Sequence, residues 1–60
     1  MEERLLTCED VASYLRLTPK TIRNWVSMGK IPHTKVNGSV RFVRSRIDLW
    51  LTEREVREVR

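Results

Sequence analysis

Between Lys20 and Ser27 the chain reads KTIRNWVS, in which Lys20, Thr21, Arg23, Asn24 and Ser27 can donate hydrogen bonds and no residue is acidic. Arginine matches the O6 and N7 acceptors of guanine, and asparagine matches the N6/N7 pair of adenine. Lysine, threonine and serine reach phosphates or base edges. At about 100° per residue, Lys20, Asn24 and Ser27 point away from an inward stripe of Ile22, Trp25 and Val26, with Thr21 and Arg23 on the flanks. The alternative is an ordinary solvated helix face, but such faces normally mix glutamate with lysine. A second polar group, Lys35, Asn37, Ser39 and Arg41, surrounds an Asn37-Gly38 pair. A thin basic ribbon of this kind suits a minor groove or a line of phosphates, or else is a connecting hairpin with solubilising charges. Arg44 and Arg46 open the last predicted helix, where cations oppose the helix dipole. An external phosphate would account for them, as would simple surface exposure.

Other chemistry finds little support. Cys8 is flanked by Glu9 and Asp10 rather than by a base or a cation, so an activated thiol is not expected. His33 is the only histidine and lacks a nearby nucleophile or second ligand. One cysteine and one histidine provide no metal cluster and no disulfide. Trp25 and Trp50 sit at core spacing, which favours packing over base stacking. The carboxylates fall at helix starts and in the tail, where capping and solvation account for them. Neither catalysis, a metal nor a cofactor is expected.

The distribution of charge says more than the net value of +4. From Val11 to Ile47 there is no acid, against eight cations: Arg16, Lys20, Arg23, Lys30, Lys35, Arg41, Arg44 and Arg46. The eight acidic residues all lie outside that segment, accompanied only by Arg4, Arg54, Arg57 and Arg60. Such segregation concentrates positive potential on the middle of the chain, as a polyanionic partner requires. Sixty residues make one domain near the lower size limit for folding without staples. No apolar run approaches membrane-spanning length, and the start MEERLL is unlike a signal peptide. A lone cysteine fits a reducing, cytoplasmic setting.

Four elements must position these residues. The first helix starts at LTCEDVASYL, with Thr7 as N-cap, Asp10 completing a short-armed capping box, and Leu6 and Val11 forming a hydrophobic staple. Val11, Ala12 and Leu15 give it an apolar face, and it should end near Arg16. About two residues later Thr18 caps a second helix, with Pro19 at its first position, Leu17 and Ile22 as staple, and Gly29 at the left-handed C-terminal position. A turn that short makes the pair a helix-turn-helix. The Asn-Gly dipeptide predicts a hairpin, with IPHTKV and SVRFV as strands, that packs on the helices through Ile31 and Phe42. A third helix is expected from Ser45 as N-cap, box-like with Asp48, presenting Ile47, Trp50 and Leu51. The tail beyond Thr52 carries pairs such as Glu53 with Arg57, and Val56 and Val59 could extend the face. The predicted fold is mainly α with a small β-hairpin: one winged helix-turn-helix domain over residues 1–60, its core at about 5–52 and a charged helical tail at 53–60.

With these residues in view, the sequence resembles the excisionase-like helix-turn-helix family, winged modules related to the DNA-binding domain of the MerR regulators. The likeness covers roughly Leu5 to Leu51. It rests on LLTCEDVASYLRLTPKTIRNWVSMGKIP, with its Thr-Ile-Arg-x-Trp helix and Gly-x-Ile-Pro exit, and on NGSVRFVRSRIDLWL, with its Arg-Phe strand and closing helix. The resemblance implies that a recognition helix at about 18–28 enters the major groove through Lys20, Thr21, Arg23 and Asn24. It implies that a wing at about 33–43 meets the minor groove or backbone through Lys35, Asn37 and Arg41. Many relatives carry a second basic residue at the wing tip, where Ser39 and Val40 stand here. The expected partner is double-stranded DNA, with a recombinase or integrase and cooperative self-association on repeated sites as further candidates. The expected role is an excisionase-type recombination accessory factor. The alternatives are a small transcriptional regulator of a mobile element or phage, and a protein-interaction module that docks a recombinase through the last helix and tail.

Overall fold

Capping chemistry sets both helix starts in the first half of the chain. The structure, a computed structural model, describes residues 4–55. The short strand β1 (Leu5–Leu6) leads into α1 (Cys8–Leu15). At the start of α1, the Asp10 backbone N–H donates to the Thr7 hydroxyl at 3.1 Å and the Thr7 N–H donates to the Asp10 carboxylate at 3.0 Å. The expected capping box is therefore complete, with two otherwise orphaned amides satisfied. Helix α2 (Pro19–Ser27) repeats the device with Thr18 as cap and proline in its first turn. Arg16, Leu17 and Thr18 separate the two helices, one residue more than the spacing predicted.

Both helices end in the same way. Gly29, at φ 67°, donates its N–H to the Val26 carbonyl, and Lys30 donates to the Trp25 carbonyl. These are the paired bonds of a left-handed C-terminal cap, as predicted from Gly29. At the end of α1 the left-handed position is taken by Arg16, at φ 61°, with Arg16 and Leu17 donating to Ser13 and Ala12. That cap uses a residue with a Cβ, which makes the left-handed conformation costly.

The hairpin consists of β2 (Thr34–Val36) and β3 (Ser39–Val43), paired antiparallel with Val36 opposite Ser39. Asn37 and Gly38 form a two-residue loop, both with positive φ (51° and 81°), as an Asn-Gly turn in a twisted hairpin requires. The sheet has one strand more than the two-stranded wing expected. Leu5 and Leu6 pair with Val43 and Phe42, giving the order β1-β3-β2 with β3 in the middle. A two-residue strand is too short to show alternation, so its partner strand, rather than its own pattern, creates it.

Helix α3 (Arg44–Arg54) follows β3 directly. The predicted Ser45 cap is corrected: Val43 occupies the N-cap, without a side-chain cap hydrogen bond. Pairing with Leu5 holds Val43 extended, and the helix begins where that pairing stops. Asp48 serves elsewhere, accepting from the Tyr14 hydroxyl of α1 and lying 4.0 Å from Arg44. Helix α3 reaches Arg54, and Glu55 turns extended. Val56, Arg57 and Val59 lie outside the described residues.

The core joins every layer: Val11 and Ala12 of α1, Ile22 of α2, Ile31, Phe42 of β3 and Ile47 of α3 are all buried. Ile31 and Phe42 anchor the hairpin as predicted. Trp25 and Trp50 pack against this cluster, their ring centroids 5.8 Å apart. The Trp50 indole N–H donates to the Lys30 carbonyl at 2.9 Å, tying α3 to the end of α2. Leu17 and Leu51 are 40% and 38% exposed and lie along a groove beside the two tryptophans, so neither reaches the core.

Candidate nucleic-acid interface

Helix α2 is held from behind by fully buried Ile22 and by half-buried Trp25 and Val26. Lys20, Asn24 and Ser27 are exposed on the other side, as the helical projection predicts, and Arg23, projected on a flank, is exposed as well. Thr21 is half-buried, and its hydroxyl lies 3.0 Å from that of Thr18 within the cap. The first turn of α2 has no acidic residue, so its positive dipole end is uncompensated and adds to the cations beside it.

The hairpin brings its polar residues alongside this face. Register places Lys35 opposite Val40, on the side of the sheet that Val40 and Phe42 turn toward the helices. One groove runs between α2 and the hairpin, lined by Arg23 and Ser27 from the helix and by Lys35, Ser39 and Arg41 from the wing. Five residues singled out in two separate stretches of sequence therefore share one surface. Val26 and Val40 form part of its apolar floor. Arg41 is half-buried, with a guanidinium N–H donating to the Val40 carbonyl at 2.7 Å. His33 also borders the groove, its Nδ1 donating to the Ile31 carbonyl at 2.9 Å.

Lys20, Thr21 and Asn24 lie on α2 outside the groove lining, and Asn37 sits at the exposed hairpin tip. Arg44 belongs to a different surface. Its guanidinium lies 4.8 Å from the centre of the Tyr14 ring and near Asp48, in a groove shared with Arg4 and Asp10. Intramolecular partners thus offset the unfavourable dipole at its position.

Sequence reasoning missed Glu9. It lies in the first turn of α1, fourteen residues before Arg23, yet its carboxylate approaches the Arg23 guanidinium at 3.4 Å and lines the same groove. Nothing in residue spacing signals this contact, which depends on how α1 crosses α2. The acid-free stretch of sequence is therefore not an acid-free surface. Asp10, one residue further, is held below the usual carboxylate range by hydrogen bonding to the Thr7 backbone N–H and then to the Thr7 side chain. The charges of Arg4 and Arg41 pull in the same direction.

Among the described residues, no group of three or more His, Cys, Asp and Glu could hold a metal ion. No helix there is long and apolar enough to cross a membrane.

Two capped helices joined by a tight turn, a hairpin beside the second helix and a closing third helix define a winged helix-turn-helix. A family model described as a helix-turn-helix domain matches residues 5–55, and the chain belongs to this family of DNA-binding domains. No curated protein and no solved structure matches the chain.

Proposed function

We propose that this domain reads double-stranded DNA with α2 in the major groove and lays the β2–β3 hairpin on the adjoining minor groove or backbone. The observation that carries this reading is the shared groove, where Arg23 and Ser27 face Lys35, Ser39 and Arg41. The sugar-phosphate strand separating a major from a minor groove must pass between an element in one and an element in the other. A cationic groove between helix and wing suits that strand. Lys20, Thr21, Arg23 and Asn24 then present donors to base edges and phosphates, while Lys35, Asn37, Ser39 and Arg41 contact the backbone. The biological role we assign is that of an excisionase-type recombination accessory factor, supported by the sequence resemblance. A small transcriptional regulator of a phage or mobile element would use the same surface.

The test is titration of the protein against duplex DNA over a range of salt. Neutralising about three to five phosphates predicts a slope of log affinity against log salt of roughly −3 to −4.5. Binding at low salt no tighter than that of an inert basic peptide would overturn the proposal.

A second reading adds a protein partner. Leu49 of α3 is 60% exposed, and Leu51 lies open beside the tryptophan groove, so α3 carries apolar side chains beyond those it buries. Contact with a recombinase or a second copy through this helix would support cooperative assembly on repeated sites. Leu49→Asp should then spare binding to a single site and weaken cooperativity on tandem sites. Unchanged cooperativity would rule out that docking role for Leu49.

A further inference from the structure

The Glu9–Arg23 pair is out of place in a surface that attracts phosphate. Both side chains are largely exposed, at 67% and 60% of the side-chain surface, and an exposed ion pair contributes little to folding stability. The pairing itself therefore adds little to stability. Glu9 stands in the first turn of α1, where the helix dipole favours a carboxylate and the Thr7–Asp10 box fixes the backbone. It is the only carboxylate bordering the groove among the described residues, a groove that Lys35 and Arg41 also line, and it occupies the one arginine on α2. The contact uses Nη1 of Arg23.

We propose that Glu9 is a specificity-determining residue that acts by positioning Arg23. This inference rests on the DNA-binding reading above. The guanidinium carries five N–H donors in a rigid planar fork, so a carboxylate on Nη1 leaves the Nε–Nη2 edge available with two parallel donors. That edge matches O6 and N7 of guanine, a neutral pair of acceptors that Arg23 can meet while keeping Glu9. A phosphate offers a different exchange. To bind it closely, Arg23 must accept a second anion beside the first, or leave Glu9 unpaired in a groove filled by the negative backbone. Either arrangement is penalised by like-charge repulsion. Glu9 thus weakens indiscriminate phosphate binding by Arg23 and leaves base reading comparatively intact. Specificity gains through this penalty on the wrong target.

The experiment begins with a duplex selected by the wild-type protein from a random-sequence pool. Its affinity is compared with that for poly(dI-dC), using wild type, Glu9→Gln, Arg23→Ala and the double variant. The thermal midpoint of each variant establishes that it is folded. Glu9→Gln should bind poly(dI-dC) about threefold to tenfold more tightly. Its ratio of selected to non-selected affinity should fall, and its non-specific salt slope should steepen by about one contact. In the Arg23→Ala background the same change should lose most of its effect on that ratio. An unchanged ratio in Glu9→Gln, or an equal further fall when Glu9→Gln is added to Arg23→Ala, overturns the proposal. If wild type binds neither DNA, the DNA-binding reading itself fails, an outcome distinct from wild type binding with a ratio indifferent to Glu9.

Discussion

Arg23 and Lys35 border the same groove, but their side chains are suited to different targets. Arg23 has a planar fork that can bridge two base acceptors, whereas the Lys35 ammonium is a point charge without directional preference. Arg23→Ala or Asn24→Ala should therefore reduce discrimination between a selected site and its point variants, by about 1–3 kcal/mol at the base concerned. Lys35→Ala should weaken all duplexes alike and reduce the salt slope by about one. Competition binding against a panel of single-base variants separates the two patterns. Asp10 supports a prediction of a different kind. Its carboxyl has a lower pKa folded than its ordinary value of 3.8, because the deprotonated form accepts from Thr7. The stability this linkage contributes is complete above that ordinary value and is lost as pH falls through the lower folded value. Denaturation midpoints measured from pH 5 to 2.5 should decline, and Asp10→Asn should flatten the part of that decline due to this carboxyl. An identical pH profile in the variant would remove Asp10 from the account.

The helices start on caps legible in sequence, but their ends differ in a way that can be measured. Gly29 adopts φ 67° and Arg16 adopts φ 61° in equivalent left-handed caps. A Cβ placed on Gly29 would meet no atom within 4 Å, so its conformation alone penalises a substitution. Gly29→Ala should cost about 1 kcal/mol, and Arg16→Gly should gain roughly 0.5–1 kcal/mol, both read from urea midpoints. Loss of stability in Arg16→Gly would mean that its side chain makes contacts outweighing the strain. The third helix shows why a capping pattern is weaker evidence than it looks. Ser45 and Asp48 have the required spacing, but the pairing of β3 with β1 extends to Val43 and fixes the helix start. Asp48 then serves Tyr14 and Arg44. Helix types and approximate positions were readable because capping and amphipathic spacing act within a few residues. The strand β1 was not readable, because it exists only through its partner.

At the largest scale, six buried apolar residues among those described, drawn from α1, α2, β3, α3 and the link after α2, hold the layers together. Phe42 is fully buried in the central strand, where it joins the sheet to both α1 and α3. Truncating a buried phenylalanine costs about 3–5 kcal/mol. A domain of this size has little stability to spare. Phe42→Ala should therefore leave the domain largely unfolded at 25 °C, measured by far-ultraviolet circular dichroism, and DNA binding should be lost with it. A cooperative transition near the wild-type midpoint would contradict this picture of the core. The same packing carries the wing: its distance from α2 follows from Ile31 and Phe42, which are buried in common with Ile22.

The sequence by itself determined the capped helix pair, the Asn-Gly hairpin, the inward stripe of α2 and the polar set on its other side. Each of these depends on backbone preferences and contacts between near neighbours in the chain. Only the tertiary structure decided which of those polar residues meet. It set Arg23 and Ser27 of α2 along one groove with Lys35, Ser39 and Arg41 of the hairpin, and turned Arg44 toward Tyr14. It also set Glu9 beside Arg23 and joined Trp50 to the Lys30 carbonyl, contacts spanning fourteen and twenty residues. The physical reason is that helix crossing and sheet pairing orient side chains far apart in sequence, and residue spacing carries no record of that orientation.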